Sequence, residues 1–385
     1  MRGIERLRQR VGQAPALLLL LLAACSQPAT VATLPAPTAT SPPPTSAPTR
    51  TPTRPAPTAT LVPLVTRTPL PTLTPVPTRV PAFARCMTWQ PEGTEGPIWD
   101  LEIAPDGTVW VAAFHGVARL HPLRKEWVAV SVGEDEAGDQ MRAISAGADG
   151  SVWLVTRLGE GVYRLEGDSW RHFTIESGLG SAWVNEVTQG PDGATWFATN
   201  GGITRWDEES GTWDRYTEED WLYNNAVQRV LFTPDGRVWA AHREAMRWWV
   251  PPETDVGVGS FGTYGLALPL ATGKAVVSAD GRLWIGQAFY DPEDQTWHDT
   301  VYREIHLQAQ AVDGYGGLWI ARSDGAIYIP DPASSPPQDW LHLNKAGGLG
   351  GENVTAIALE RDNAVWFGTD EGVTRCLLGG LRSTQ

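Results

Sequence analysis

Cysteine is scarce: three occur in 385 residues, at 25, 86 and 376, and none lies near another as a paired-cysteine zinc motif requires. The seven histidines are dispersed, without the H-x-x-x-H spacing that puts two ring nitrogens on one ion. There is no Gly-Lys-Ser/Thr phosphate loop and no Gly-x-Ser-x-Gly elbow, so the usual sequence signs of phosphoryl transfer and serine hydrolysis are missing. An acidic run over residues 134–139 lacks the Asp-x-Asp-x-Asp-Gly order of a calcium loop. The expectation is therefore no metal, no cofactor and no catalytic residue. Apolar runs long enough to cross a membrane are also lacking, since Ala16 to Leu22 is too short for a confident span.

Charge and aromatics are unevenly spread. Residues 1–81 hold eight arginines, no lysine, one acid (Glu5) and none of the 19 tryptophans. The remainder carries 22 basic and 43 acidic residues, a net of −21. A domain so acidic repels phosphate backbones, whose binding rests on Lys and Arg neutralising charge, so nucleic acid is excluded as a partner. The acidity also serves to keep a secreted domain soluble.

Arg2, Arg6, Arg8 and Arg10 precede the apolar run, which ends Leu22-Ala23-Ala24-Cys25-Ser26. A basic start and a short apolar stretch read as a secretory signal over residues 1–25. The Leu-Ala-Ala-Cys ending resembles the bacterial lipobox. That resemblance implies lipidation of Cys25, cleavage before it and an outward-facing protein tethered to the membrane by acyl chains, each methylene stabilising the anchor by ~0.8 kcal/mol. Ser26 rather than Asp after the cysteine argues against inner-membrane retention in a two-membrane cell. Residues 26–81 are almost entirely Pro, Thr, Ala, Ser, Val and Leu with four Arg, a composition with no means of building a core. Extended, this stalk reaches up to roughly 170 Å.

Beyond residue 81 the chain repeats. A turn followed by a tryptophan recurs at Trp110, Trp153, Trp196, Trp239, Trp284, Trp319 and Trp366, in steps of 43, 43, 43, 45, 35 and 47 residues. A period of this length with strands in each copy is the signature of propeller blades. In the third copy, Val184 to Gln189 leads to the turn Pro191-Asp192-Gly193, where Asp-Gly supplies the positive-φ residues of a tight hairpin. Ala194 to Thr199 reads as a strand buried on both faces, Ile203 to Trp206 as a third strand and Thr212 to Tyr216 as a fourth. The corresponding turns are Asp106-Gly107, Asp149-Gly150, Asp235-Gly236, Asp280-Gly281, Gly316-Gly317 and Asp362-Asn363. The fold class is all-β, a seven-bladed propeller of four-stranded antiparallel blades over residues 82–385. A lone blade would leave two apolar faces wet. Burying each large aromatic between blades contributes on the order of 2–3 kcal/mol. The fourth copy departs from the pattern at His242-Arg243-Glu244-Ala245 and in the Pro- and Gly-rich stretch 251–273. The short fifth copy, with Gln287 to Tyr290 replacing its Gly turn, is the one expected to fail if any does.

The last copy runs out after Gly372 to Cys376 and lacks a fourth strand, while Phe83 to Trp89 looks like a fourth strand without a third. The N-terminal strand is thus expected to complete the C-terminal blade, which removes exposed edges. Closure places Cys86 and Cys376 on adjacent strands, predicting a disulfide latch in an oxidising compartment; two buried thiols or a metal pair are the alternatives.

Ser177-Gly178-Leu179 leading into Val184-Asn185, then Asp192-Gly193, Trp196 to Thr199 and Gly201-Gly202-Ile203, resembles the two-component regulator propeller repeat. Gly348-Leu349, Asn353-Val354, Trp366 to Thr369 and Glu371-Gly372-Val373 resemble it again. The resemblance covers about residues 98–376. It implies an extracytoplasmic platform that binds a ligand or protein; the kinase, receiver and second membrane span of the sensing proteins are not recognisable in this sequence. Gly190 to Phe197 also resembles the repeats of virginiamycin B lyase-type propellers, but only in the blade scaffold.

In this strand order the turns after second strands and the loops into first strands share one rim. It is expected to gather His115, Arg157, Asn200, His242, Arg243 and Gln287 from the turns, with Trp183, Trp221, Tyr223, Asn224 and residues 134–139 from the loops. Arg142, Asn185, Gln228 and Thr355 occupy equivalent places in first strands, near the channel mouth. Tryptophans at strand centres read as core, and Trp183 and Trp221 as surfaces for stacking a ligand. The leading expectation is a monomeric, non-enzymatic, lipid-anchored propeller that binds a protein or glycan through this rim. A lyase or hydrolase using His115 or His242 as base, and an envelope assembly scaffold, are the alternatives.

Overall fold

In the computed structural model of the protein, the described residues are 82–379, apart from 122, 124, 133–139, 244, 251–274, 287, 301–306 and 361–363. The signal segment with Cys25, the stalk, the turn 362–363, Gln287 and the acidic run 134–139 lie outside them. The described strands form seven antiparallel sheets. Blade one is β2 (Glu95–Ile103), β3 (Val109–His115), β4 (Val117–Leu120) and β5 (Trp127–Val130). Blade two is β6 (Met141–Ala146), β7 (Val152–Thr156), β8 (Val162–Glu166) and β9 (Ser169–Phe173). Blade three is β10 (Val184–Gln189), β11 (Thr195–Thr199), β12 (Gly202–Asp207) and β13 (Thr212–Tyr216). Blade four has β14 (Val227–Phe232), β15 (Val238–His242) and β16 (Met246–Trp249). Blade five is β17 (Val276–Val277), β18 (Leu283–Ile285), β19 (Ala288–Asp291) and β20 (Thr296–Asp299). Blade six is β21 (Ala309–Val312), β22 (Leu318–Arg322), β23 (Gly325–Ile329) and β24 (Leu341–Leu343). Blade seven is β25 (Val354–Glu360), β26 (Ala364–Thr369), β27 (Gly372–Gly379) and, as its outermost strand, β1 (Ala82–Trp89).

The turns explain the spacing. Gly107, Gly150, Gly193, Gly236, Gly281 and Gly316 all take positive φ between 80° and 86°. The aspartate before the glycine does a different job from the one expected of it. Its own φ is not positive; its carboxylate instead accepts the N–H two residues on, as Asp106 does from Thr108 at 2.8 Å and Asp149 from Ser151 at 2.9 Å. The second strand then begins, and its tryptophan is driven between blades. All seven repeat tryptophans are at most 3 % exposed. The buried side chains fall into seven clusters, each joining a blade to the next, and the cluster around Trp366, Ile98, Val109 and Val111 joins blade seven to blade one. Trp153 meets Phe197 edge-on at 5.3 Å across the interface of blades two and three, and Trp239 lies 4.8 Å from Tyr290 across that of blades four and five.

Closure by the N-terminal strand is borne out residue by residue. Cys86 pairs with Cys376 and Trp89 with Val373, and the disulfide is formed. A repeated glycine shows that β1 stands where a fourth strand belongs. A Cβ on Gly161, Gly202 or Gly325 would lie 2.1–2.3 Å from the carbonyl oxygen ending that blade's fourth strand. On Gly372 it would lie 2.4 Å from the carbonyl of Trp89, the end of β1. The expectation that the fifth copy would be the weakest is corrected: blade five has all four strands, because Ala288 to Asp291 pairs with both Leu283–Ile285 and Thr296–Asp299. Blade four is the one with three strands among the described residues.

Candidate functional site

The first strands line the central channel, and their register places polar groups at its mouth. Among the described residues, the first strands of five blades carry a bulge, and the residues the ladder skips there are Trp99, Arg142, Asn185, Gln228 and Thr355. Arg142 donates to the Asn185 Oδ1 at 3.1 Å, and Asn185 Nδ2 reaches the Asn200 Oδ1 at 2.9 Å and the carbonyl of Val227 at 2.7 Å. Thr355 donates to the carbonyls of Ile98 and Gly368. These bonds tie blades two to three, three to four and seven to one, so the mouth is a pre-ordered polar collar rather than loose loops.

Below the collar the channel holds charge away from water. Asp100, 1 % exposed, accepts Leu101 N–H at 2.9 Å and, from the next blade, Ile144 N–H at 3.0 Å. Glu186 repeats the device in blade three, accepting Val230 N–H at 3.3 Å and pairing with Arg229. Burial raises the Glu186 carboxyl, with Arg229 pulling it back. Glu102 keeps part of its surface on the channel but has protein around it, and that burial, with the Glu186 charge adding, pushes its carboxyl up to about 8. Burial, then the neighbouring Arg229, holds the Arg142 guanidinium below its ordinary value.

Around the collar runs an arc of exposed aromatics. Trp99, on β2 one residue before Asp100, is 41 % exposed and stacks on Phe114 at 6.3 Å. The Arg157 guanidinium covers both rings, at 5.3 Å from Trp99 and 4.7 Å from Phe114, and its Nη1 donates to Gln140 at 3.3 Å. His115 is exposed and meets Phe114 edge-on at 4.6 Å. Trp183, 50 % exposed, lies against Gly159, where a Cβ would come within 2.4 Å of the indole. Its carbonyl accepts the Asn200 N–H at 2.9 Å. Tyr223 is 43 % exposed. Asn224 Oδ1 accepts the Ala226 N–H at 2.9 Å and shapes that loop, Gln228 is half-buried beside it, and Arg243 is exposed.

Two expected members leave the site. Trp221 is 5 % exposed: Thr217 and Asp220 fold the loop back on itself through the Trp221 N–H to the Thr217 carbonyl, and the indole stacks on Trp249 at 5.7 Å within the core between blades three and four. His242 is fully buried. It occupies the register of Thr156, Thr199 and Thr369, whose hydroxyls donate to the turn carbonyls of Gly161, Gly202 and Gly372. An imidazole there has no partner in hydrogen-bond geometry at either nitrogen. Burial first, then Arg247, lowers it to about 4, the nearby Ala226 backbone offsetting a little. Neither rim histidine bonds a carboxylate among the described residues; His298, which does so with Asp294 at 2.8 Å, is on the fourth strand of blade five. Trp99 is the member that sequence reasoning missed. The register that singled out Arg142, Asn185, Gln228 and Thr355 contains Trp99 in blade one, and extending it by one blade would have found it.

No family model matches the chain, and no curated protein does. Solved structures do. The extracellular domain of a putative hybrid two-component system from B. thetaiotaomicron superposes with TM-score 0.62 at 15 % identity over 79 % of this chain and 44 % of its own. A catalytically inactive virginiamycin B lyase from Staphylococcus aureus does so at 0.59 and 13 % identity, over 77 % of this chain and 99 % of its own. The PorZ surface component of the type-IX secretion system of Porphyromonas gingivalis gives 0.57 at 14 % identity, over 77 % and 48 %. This chain spans less than half the length of the two-component domains it resembles. At these identities the shared property is the seven-bladed fold.

Proposed function

We propose that the protein is a non-enzymatic recognition module, anchored outside the cytoplasm through lipid on Cys25, that binds a protein or glycan on the channel-mouth rim. The observation that carries this reading is the arc of Trp99, Trp183 and Tyr223, each at least 41 % exposed, beside a collar of cross-bonded polar side chains. Indoles and phenols present large rigid surfaces at low ordering cost, and fixed amides and guanidinia orient a partner. A disulfide suits an oxidising compartment, and a propeller of this fold occurs in the extracellular domain of a putative hybrid two-component system. The lyase-type alternative draws no support from either histidine offered as its base, since His242 is sealed and His115 bonds no carboxylate among the described residues. Capture from envelope extract by the wild-type protein, and at least tenfold weaker capture of the same species by a Trp99→Ala/Trp183→Ala/Tyr223→Ala variant with unchanged circular dichroism, is the expected result. Equal capture by both removes the rim from the account.

A further inference from the structure

On the side of the Asp-Gly turns, opposite the rim, four blades place an arginine directly across from their central tryptophan: Arg119 from Trp110, Arg164 from Trp153, Arg205 from Trp196 and Arg375 from Trp366. Each guanidinium lies over its own indole at 5.4–5.9 Å. Three of the four also hold a carboxylate. Arg164 takes both oxygens of Glu208 at 2.7 Å, Arg205 holds Asp192 at 2.8 Å and Asp214 at 3.1 Å, and Arg375 takes Glu360 at 2.8 and 3.0 Å. Arg119 has no carboxylate partner among the described residues.

Register shows what is missing. Asp214 stands across from Arg205, and the residue across from Arg119 is Val128. Glu360 lies two residues past the partner of Trp366, and two past the partner of Trp110 stands Ala104. Glu208 follows Arg205 by three residues in the blade next to Arg164; in the blade next to Arg119 the same place is Gly167. The one acid retained, Asp106, already bonds the Thr108 N–H at 2.8 Å and hydroxyl at 2.9 Å. Where the acids are lost, a cavity of ≈ 300 Å³ opens between blades one and two. Ala104, Trp110, Val128 and Leu165 give it apolar walls, and Arg119 and His121 its basic groups. His121 Nδ1 accepts the Leu123 N–H at 3.2 Å, which leaves Nε2 as the protonated, donating nitrogen of the neutral ring.

We propose that this cavity binds a small monocarboxylate with an aromatic or apolar tail. Its carboxylate takes the place against Arg119 that Asp214, Glu208 and Glu360 take against the other arginines, and its tail lies along Val128 and Leu165. A guanidinium fork matches a carboxylate in geometry and charge, and the volume is that of the smallest ligand sites. Asp106 at the edge and the domain's acidity select for one negative charge over several. The site is independent of the rim and stands or falls separately from it.

Calorimetric titration of the purified protein with phenylacetate tests this, with phenylacetamide and 2-phenylethylamine as neutral and cationic matches. Saturable one-to-one binding of phenylacetate alone is expected, with a Kd at or below about 1 mM. Arg119→Gln weakens it by at least about tenfold. Val128→Asp, which rebuilds the blade-three pairing within the chain, abolishes binding while leaving the denaturation midpoint unchanged or raised, and so separates loss of the site from loss of the fold. No saturable binding by the wild-type protein up to about 10 mM, ten times the expected Kd, overturns the proposal. Equal binding by wild type and either variant overturns it as well.

Discussion

Replacing Cys86 and Cys376 together by alanine opens the one covalent link across the closure of the ring. The two residues face each other across β1 and β27, 290 residues apart in sequence, with Cys376 fully buried and Cys86 half-buried against Gly348. In the chain-entropy model a loop of this length restricts the unfolded state by about 5.7 kcal/mol, an upper bound, because natural disulfides stabilise typically by about 2–4. Loss of the sulfur packing in the cluster of Leu349, Val365 and Phe367 adds about 1 kcal/mol. We expect the urea midpoint to fall by the equivalent of about 3–5 kcal/mol. The slope m should rise, since the unlatched denatured chain exposes more surface. Unfolding followed by Trp fluorescence, oxidised, reduced and in the double variant, measures both. Identical midpoints for oxidised and reduced protein would refute the reasoning, as would two titratable thiols from residues 86 and 376 in unreduced, denatured protein.

Glu102 has a folded value raised to about 8 against an ordinary 4.5, so the folded state holds a proton that the unfolded state releases. Stability then falls as pH rises between about 4.5 and 8, and Glu102→Gln should stabilise by ~1–2 kcal/mol above pH 8, after allowing for screening by channel water, with no effect near pH 4. His242 is the reverse case, lowered to about 4 from 6.5: stability falls as pH drops from 6.5 towards 4, and His242→Thr should abolish that slope and add ~1 kcal/mol from the hydroxyl bond its counterparts make. Cys25→Ser should lose incorporation of labelled palmitate and partition with the aqueous phase of a detergent extract; unchanged labelling would rule out that cysteine as the anchor.

What could be read from the sequence was whatever is decided locally and repeated. The turn aspartate, the positive-φ glycine and the buried tryptophan sit within ten residues of one another, so each copy announces its own blade. Closure was legible for a different reason: a missing fourth strand at one end and a spare strand at the other are complementary, and Cys86 and Cys376 mark the seam. The rim was read less well because loop exposure depends on contacts between blades. Trp183 and Trp221 occupy similar loops, yet one rests on Gly159 facing outward and the other is folded under by Thr217 and Asp220. His242 looked like a rim residue because its neighbours are turn-like, but its pairing with Val227 puts it at an inward position that blades two, three and seven give to threonine. The short fifth copy, counted from Trp284 to Trp319, still pairs its second, third and fourth strands, so the shorter step costs it no strand.

The claim that the channel-mouth rim is the recognition surface is tested most directly by photocrosslinking in the native envelope. A benzophenone amino acid placed at Trp183 or Tyr223 should give one discrete adduct, while the same group at Asp168, on the opposite side, gives none. Adducts of equal yield from both sides, or from Asp168 alone, would contradict it.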